Sequence, residues 1–269
     1  MTSPIPLTIA LTGATSGVGG QIRPLLAEQG HRVILVNRRA VDSVGANEEA
    51  RVAQLSDIPS LIEAFAGADV IVHLAGNSVE TNWESILDVN IDGTRNVLEA
   101  ARLGGVNRLL LASSNHAVGM HTHAEVRGIV EPTPAPDTYY GVSKVAMEAL
   151  GSLYGSRYGM LAVSARIGSL LPKPTTERGL STWLSAADFV RLIEATGTTT
   201  ATGGHVVWAV SKNTKTAFDL TAGHAIGYYP QDDAQAYAAE MGLGVGPADD
   251  ELIGGAFTAD DYPVGVGKQ

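Results

Sequence analysis

The feature that most constrains this chain lies near its start. An apolar run, Leu7 to Leu11, passes directly into Thr12-Gly13-Ala14-Thr15-Ser16-Gly17-Val18-Gly19. From Val18 to Gln29 the apolar spacing is helical, and Gly30 can end the helix. The glycines let the turn close tightly and let backbone N–H groups approach a pyrophosphate, and the helix start adds the positive end of its dipole. A glycine-rich turn alone is weak. Strand, loop and helix in this order make it a dinucleotide-binding turn.

The alternation continues. Arg32 to Val36, Asp69 to Leu74, Arg108 to Ala112, Leu161 to Ile167 and Val206 to Val210 read as strands. Ile58 to Phe65, capped by Asp57, Tyr139 to Tyr158, Asp188 to Ala195 and Asp232 to Met241 read as helices. A long helix carries Trp83, Ile86, Leu87, Ile91, Val97, Leu98 and Ala101 on one apolar face. A βαβα rhythm implies a parallel sheet covered by helices on both faces. Between Val118 and Asp137 periodicity is lost among Pro132, Pro134 and Pro136, which predicts a surface excursion near the site. The glycine-rich tail, Gly242 to Gln269, reads as loop, wrapped on the body or partly mobile. No repeat or linker divides the 269 residues, so one domain, 1–269, is expected.

Composition narrows the function. With no cysteine there is no disulfide, thiolate metal site or catalytic thiol. A net charge of −10 argues against nucleic-acid or anionic-membrane surfaces, so an anionic ligand needs a local cationic pocket. No apolar run has the length of a membrane span, and the first residues lack a signal-peptide pattern, so a cytoplasmic protein is expected.

The chemistry is concentrated in Tyr140-Gly141-Val142-Ser143-Lys144. Tyrosine and lysine four apart share a helix face. An ammonium about 4 Å from a phenolate, at an effective dielectric near 20, stabilises it by about 4 kcal/mol, or about three pKa units. That would bring Tyr140 near neutral pH as a general base. Ser114, at the end of a strand, can bond the same substrate hydroxyl, and Asn90, a poor helix former in mid-helix, is a fourth catalytic candidate. No acid follows strand two to hold a ribose. Asn37, Arg38 and Arg39 stand there, and the arginines can pair with a 2′-phosphate. His116 lacks companions at metal spacing and reads as a pocket residue, so no metal is expected. The pairs Asp249/Asp250 and Asp260/Asp261 read as solvated surface.

The TGxxxGxG loop with Ser114, Tyr140, Lys144 and Asn90 resembles the extended short-chain dehydrogenase/reductase family. Val72 to Glu80, Ala112 to His116, Leu180 to Ser185, Asp188 to Val190 and Gly254 to Phe257 are similar to its uronate dehydrogenase subgroup. Sulfoquinovose dehydrogenases and a haloarchaeal-type glucose-6-phosphate dehydrogenase look like related members. The resemblance implies an α/β Rossmann-type doubly wound parallel sheet, with substrate-binding elements mainly in 169–269. It implies oxidation at C1 of a cyclic hexose with an anionic C6 group, and a homo-oligomer. It implies NAD or NADP along Gly13, Thr15, Ser16, Gly17, Val18, Gly19, Asn37, Arg38, Gln54, Leu55, Leu74, Ala75, Gly76, Tyr140, Lys144 and Ile167. The sugar would meet Ser78, Ser114, Asn115, His116, Ser169 and Arg178, with Arg178 at the C6 anion. The chain departs from the subgroup at Ser16 and Gly17, where the glycine is displaced, and at Asn37 and Gln54, where acids are usual. These departures bear on cofactor preference. Lys215 stands where a non-basic residue is typical, which leaves a sulfonate or phosphate at C6 open.

Overall fold

The computed structural model describes residues 5–41 and 44–266. In chain order the elements are β1 (Thr8–Thr12), α1 (Gly17–Glu28), β2 (Arg32–Asn37), β3 (Glu48–Val52), α2 (Ile58–Phe65), β4 (Val70–His73), α3 (Trp83–Ser85), α4 (Gly93–Gly104) and β5 (Arg108–Ser114). Then follow α5 (His123–Val126), α6 (Tyr139–Tyr158), β6 (Leu161–Ile167), β7 (Ser169–Leu170), α7 (Gly179–Thr182), β8 (Trp183–Leu184), α8 (Ala186–Thr198), β9 (Gly203–Ala209), α9 (Thr221–Ala225) and α10 (Ala238–Met241).

Seven strands form one sheet in the order β3-β2-β1-β4-β5-β6-β9, and every pair is parallel. This is the doubly wound Rossmann arrangement, whose strand order reverses between β1 and β4 and opens a crevice at the carboxyl ends. Side-chain alternation splits the core into two layers. Ile9, Leu11, Val33, Leu35 and Val72 face α1 and α8 on one side. Ala10, Ile34, Ile71, Leu109 and Leu111 face α2, α4 and α6 on the other. A small parallel pair, β7 with β8, lies beyond the carboxyl edge and carries Ser169.

Three elements differ from the sequence expectation. β3 has no apolar run to announce it. It is an exposed edge strand, Glu48-Glu49-Ala50-Arg51-Val52, fastened by Arg23–Glu48 and Arg32–Glu49 ion pairs at 2.6 and 2.5 Å. The long helix from Trp83 is not continuous: a π turn, Ile86–Asp92, separates α3 from α4. Trp83 and Leu87 are 40 % and 39 % exposed, so of the apolar residues in the first turns only Ile86 is buried, and the continuous apolar face runs from Val97 to Ala101. The expected helix from Asp232 to Met241 is a 3-10 turn, Ala234–Tyr237, followed by the single turn of α10. The described part of the tail wraps on the body, one of the two expected outcomes, and is fastened through backbone bonds. Backbone N–H groups of His123 and Ala124 donate to Glu251 and Asp249 carbonyls, Ile253 N–H to His121, and Gly254 N–H to Gly119.

Candidate active site

The glycine loop leaves β1 at Gly13, whose φ is +69°. A Cβ there would lie 2.8 Å from the Ala75 nitrogen, so only glycine lets the first turn pass the end of β4 this closely. Ser16 caps α1, accepting from the Gly19 N–H at 3.1 Å. A Cβ on Gly17 would meet nothing within 4 Å, so the loop faces open space at the helix start. Asn37 ends β2. Its Oδ1 accepts from the Thr15 hydroxyl at 3.3 Å, while its buried Nδ2 has no partner. An orphaned donor at the end of β2 would suit an acceptor-rich ligand such as a ribose or its phosphate. Arg38, Arg39 and Gln54 are exposed, and Leu55, Leu74 and Ile167 are half-buried.

Asn90, buried in the π turn, uses its whole amide within the protein. Oδ1 accepts from the Asn77 N–H at 2.7 Å, and Nδ2 donates to the Asn77 carbonyl and Ser143 hydroxyl at 3.1 and 3.0 Å. It therefore joins the Gly76–Asn77 turn to α6. Below it lies His73, fully buried. Thr12 Oγ1 lies 2.8 Å from Nδ1 and Thr94 Oγ1 3.3 Å from Nε2. Burial, then the nearby Lys144 charge, lowers the His73 pKa to about 3, so it stays neutral.

Thr138 caps α6 by accepting from the Gly141 N–H, and this turn presents Tyr140 beside the end of β5. The Ser114 side chain lies beside the Tyr140 phenol and favours its charged form. Lys144 Nζ lies 5.2 Å from the Tyr140 ring centre and donates to the Ala112 carbonyl at 2.7 Å. The expected pull of Lys144 on the phenol is thus overturned in this state: the Tyr140 pKa is raised to about 12. Burial dominates, the Ser114 side chain opposes it, and the Asp137 charge adds to it. The ammonium lies over the ring, 5.2 Å from its centre, and is bound to a carbonyl. Burial also lowers Lys144 to about 8, against the Glu148 charge. Glu148, one turn further along α6, forms a buried two-point ion pair with Arg166 at 2.9 and 2.8 Å and accepts from Ser113 at 2.6 Å. Together these contacts fix α6 to β5 and β6.

The tail roofs the other side. Asn115 Nδ2 and Arg178 Nε both donate to the Ile253 carbonyl, at 3.1 and 2.8 Å. One carbonyl thereby places Arg178 next to the Ser114–His116 turn. Arg178 Nη1 is 3.5 Å from the Ser169 hydroxyl, and Arg178 makes no ion pair with any described residue. Burial lowers its pKa, partly offset by the charges of Glu251 and Asp137. Phe257 stacks on His116 at 4.2 Å and lies 6.4 Å from the Tyr140 ring. Buried Glu80, a residue that nothing in the sequence marks singly, accepts from the Tyr140 N–H at 2.7 Å and the Gly265 N–H at 2.8 Å. Ser78 is exposed on the loop before it. Asp249, Asp250, Asp260 and Asp261 are exposed as expected. Among the described residues no group of three or more His, Asp or Glu is placed to hold a metal ion, and no helix is long and apolar enough to cross a membrane. A cavity of about 310 Å³ lined by Gln21, Trp183, Ser185, Asp232 and Tyr237 contains none of the Ser114, Tyr140 and Lys144 set.

Residues 9–188 match the model of the NAD dependent epimerase/dehydratase family. The chain belongs to that family. It is 38 % identical to a uronate dehydrogenase of Pseudomonas syringae pv. tomato, with 93 % of each chain covered. It is 33 % identical to an NAD-dependent glucose-6-phosphate dehydrogenase of Haloferax volcanii, over 86 % of this chain and 96 % of that one. A crystal structure of uronate dehydrogenase from Agrobacterium tumefaciens, a mutant complexed with NAD, superposes with a TM-score of 0.87 at 35 % identity. It covers 97 % of this chain and 100 % of its own.

Proposed function

We propose that the protein oxidises C1 of a cyclic hexuronate to the aldonolactone, with NAD or NADP. Tyr140 takes the proton of the C1 hydroxyl, Ser114 orients that hydroxyl, and Lys144 carries positive charge beneath the base. The bound dinucleotide supplies the hydride acceptor and, when oxidised, a further positive charge in the site. Gly13 to Gly19 would hold its pyrophosphate and Asn37 its ribose. Positioning by Asn90 and the π turn keeps the Gly76–Asn77 turn and α6 in register.

The observation that carries the substrate reading is Arg178. A largely desolvated guanidinium without a carboxylate partner, tied beside the Tyr140–Ser114 pair through Ile253, is an anion site in waiting. The uronate dehydrogenase relatives, matched over nearly full length, support a C6 carboxylate. A second reading, a C6 sulfonate or phosphate as in sulfoquinovose or a hexose 6-phosphate, is favoured by Lys215 and by the glucose-6-phosphate dehydrogenase relative. Use of NADP is part of the proposal. Its support is the missing strand-two acid, the unpartnered Asn37 Nδ2 and exposed Arg38. We propose a homo-oligomer as well, in keeping with exposed Trp83, Leu87, Leu153 and Tyr158.

The test is a steady-state panel of galacturonate, glucuronate, sulfoquinovose, glucose 6-phosphate and galactose, each with NAD and NADP. At least about a tenfold advantage in kcat/KM for a uronate over galactose is expected, the order of a single charge-assisted contact. Equal oxidation of galactose and every anionic sugar would overturn the C6-anion reading.

A further inference from the structure

His116 Nδ1 lies 2.6 Å from Oδ2 of Asp137, whose side chain is fully buried. The other carboxylate oxygen, Oδ1, accepts from the Thr138 hydroxyl at 3.0 Å, and Thr138 is the residue that caps the Tyr140 helix. Three separate pieces of backbone make room for this carboxylate. A Cβ on Gly119, after the His116 turn, or on Gly254, in the tail, would overlap Oδ2, and one on Gly141, in α6, would lie 2.9 Å from Oδ1. Three close approaches to one buried acid form a fitted seat, and among the described residues His116 and Thr138 are the side chains that hydrogen-bond it.

A carboxylate only accepts hydrogen bonds, so the proton in this contact belongs to His116 Nδ1. In the neutral ring Nε2 then carries a lone pair. The ring is held on both sides, stacked on Phe257 at 4.2 Å and edge-on to Tyr140 at 5.6 Å. It is partly exposed, and no described residue bonds Nε2. We propose that Asp137 is a positioning residue: it fixes His116 with Nδ1–H inward and Nε2 as an acceptor for a sugar hydroxyl beside the reacting carbon. This rests on the sugar-dehydrogenase reading of the same site. Asp137 touches neither substrate nor cofactor. It acts through His116, and through Thr138 it keeps that ring in register with Tyr140.

Asp137→Asn preserves the shape but can offer an N–H to Nδ1, and so moves the ring proton to Nε2, as loss of the carboxylate does in other carboxylate–imidazole pairs. The acceptor then becomes a donor, facing a hydroxyl whose proton it no longer accepts. The expected result is a 10–100-fold loss of kcat/KM for the best uronate, the range for one lost and one mismatched hydrogen bond, with the dinucleotide Kd within twofold of wild type. His116→Gln should lose a similar factor, and the double variant should be no worse than His116→Gln alone, because both changes remove one interaction. ¹⁵N NMR of the neutral ring should show Nδ1–H in wild type and Nε2–H in Asp137→Asn. A merely structural carboxylate would lower Tm without moving the tautomer, and additive losses in the double variant would overturn the proposal. Should Asp137→Asn not fold, the wild-type spectrum decides, since Nε2–H there refutes the assignment. If wild type oxidises no anionic sugar but the tautomers behave as stated, the uronate reading fails while the Asp137–His116 coupling stands.

Discussion

Replacing Arg178 by Met isolates the substrate anion from everything else the site does. Met keeps the apolar stem and removes the guanidinium. The Ile253 carbonyl loses its 2.8 Å bond from Arg178 but keeps the 3.1 Å bond from Asn115, so the tail stays docked and no buried acceptor is orphaned. The guanidinium is itself a burden on the fold, since burial lowers its pKa and the charged form is the one disfavoured. Stability should therefore stay level or rise slightly. What is lost is the pair of terminal N–H groups that would grip the C6 anion. Each charge-assisted bond contributes about 1.5–3 kcal/mol, and two from one fork are not fully additive, which gives about 3–4 kcal/mol. That corresponds to a 10²–10³-fold fall in kcat/KM for the uronate. The assay is steady-state oxidation of galacturonate and galactose by both proteins, with dinucleotide Kd and Tm measured alongside. Galactose should be a poor substrate for both and change less than about twofold, since no charged contact is lost. A uronate kcat/KM within threefold of wild type would refute the reasoning, as would an equal fall for galactose.

Four further outcomes are expected. Tyr140→Phe should lower kcat by at least about a hundredfold with dinucleotide affinity intact, and turnover within fivefold of wild type would remove Tyr140 from the chemistry. Arg38→Ala should weaken NADP relative to NAD by about 1.5–3 kcal/mol, read from the two KM values; equal changes would make Arg38 an ordinary surface cation. Arg166→Met leaves Glu148 buried and unpaired and should cost about 3–5 kcal/mol by urea denaturation, while Arg166→Met with Glu148→Leu should recover much of it. Acid should destabilise the fold early. His73 and His123 have pKa values lowered to about 3 and about 4, chiefly by burial, against about 6.5 in the unfolded chain. Both states are neutral above that value. Below it the unfolded chain binds protons that the folded one refuses, so stability falls by about 1 kcal/mol per pH unit for each histidine. Unfolding midpoints between pH 7 and pH 5 should show this slope, and His123→Phe should reduce it.

The sheet and the Ser114–Tyr140–Lys144 set were legible because each rests on a repeating pattern. Buried parallel strands are continuous apolar runs, and a Tyr–Lys pair at i,i+4 shares a helix face by geometry. β3 was not legible, because an exposed edge strand held by ion pairs leaves no apolar signature. The π turn escaped because one extra residue per turn is a local hydrogen-bond shift with no compositional mark. The ionisation of Tyr140 was misjudged because charge proximity shows in sequence spacing and burial does not. The Asp137–His116 contact joins residues 21 apart across an aperiodic excursion, and its seat is made of glycines, which in a sequence look like ordinary turn residues. The sequence left the tail either wrapped or partly mobile for the same reason: its glycines mark close approaches, and its fastening runs through single backbone bonds without a period.

The fastened tail also sets an order of events. All of the strands and the dinucleotide turn lie within residues 8–209, whereas Ile253, Gly254, Phe257 and Gly265, which seat Arg178, Asp137, His116 and Glu80, come afterwards in the chain. On the proposed reading, a chain emerging from the ribosome completes the strands and the glycine loop of its dinucleotide crevice before the tail residues that seat Arg178 and Asp137 exist.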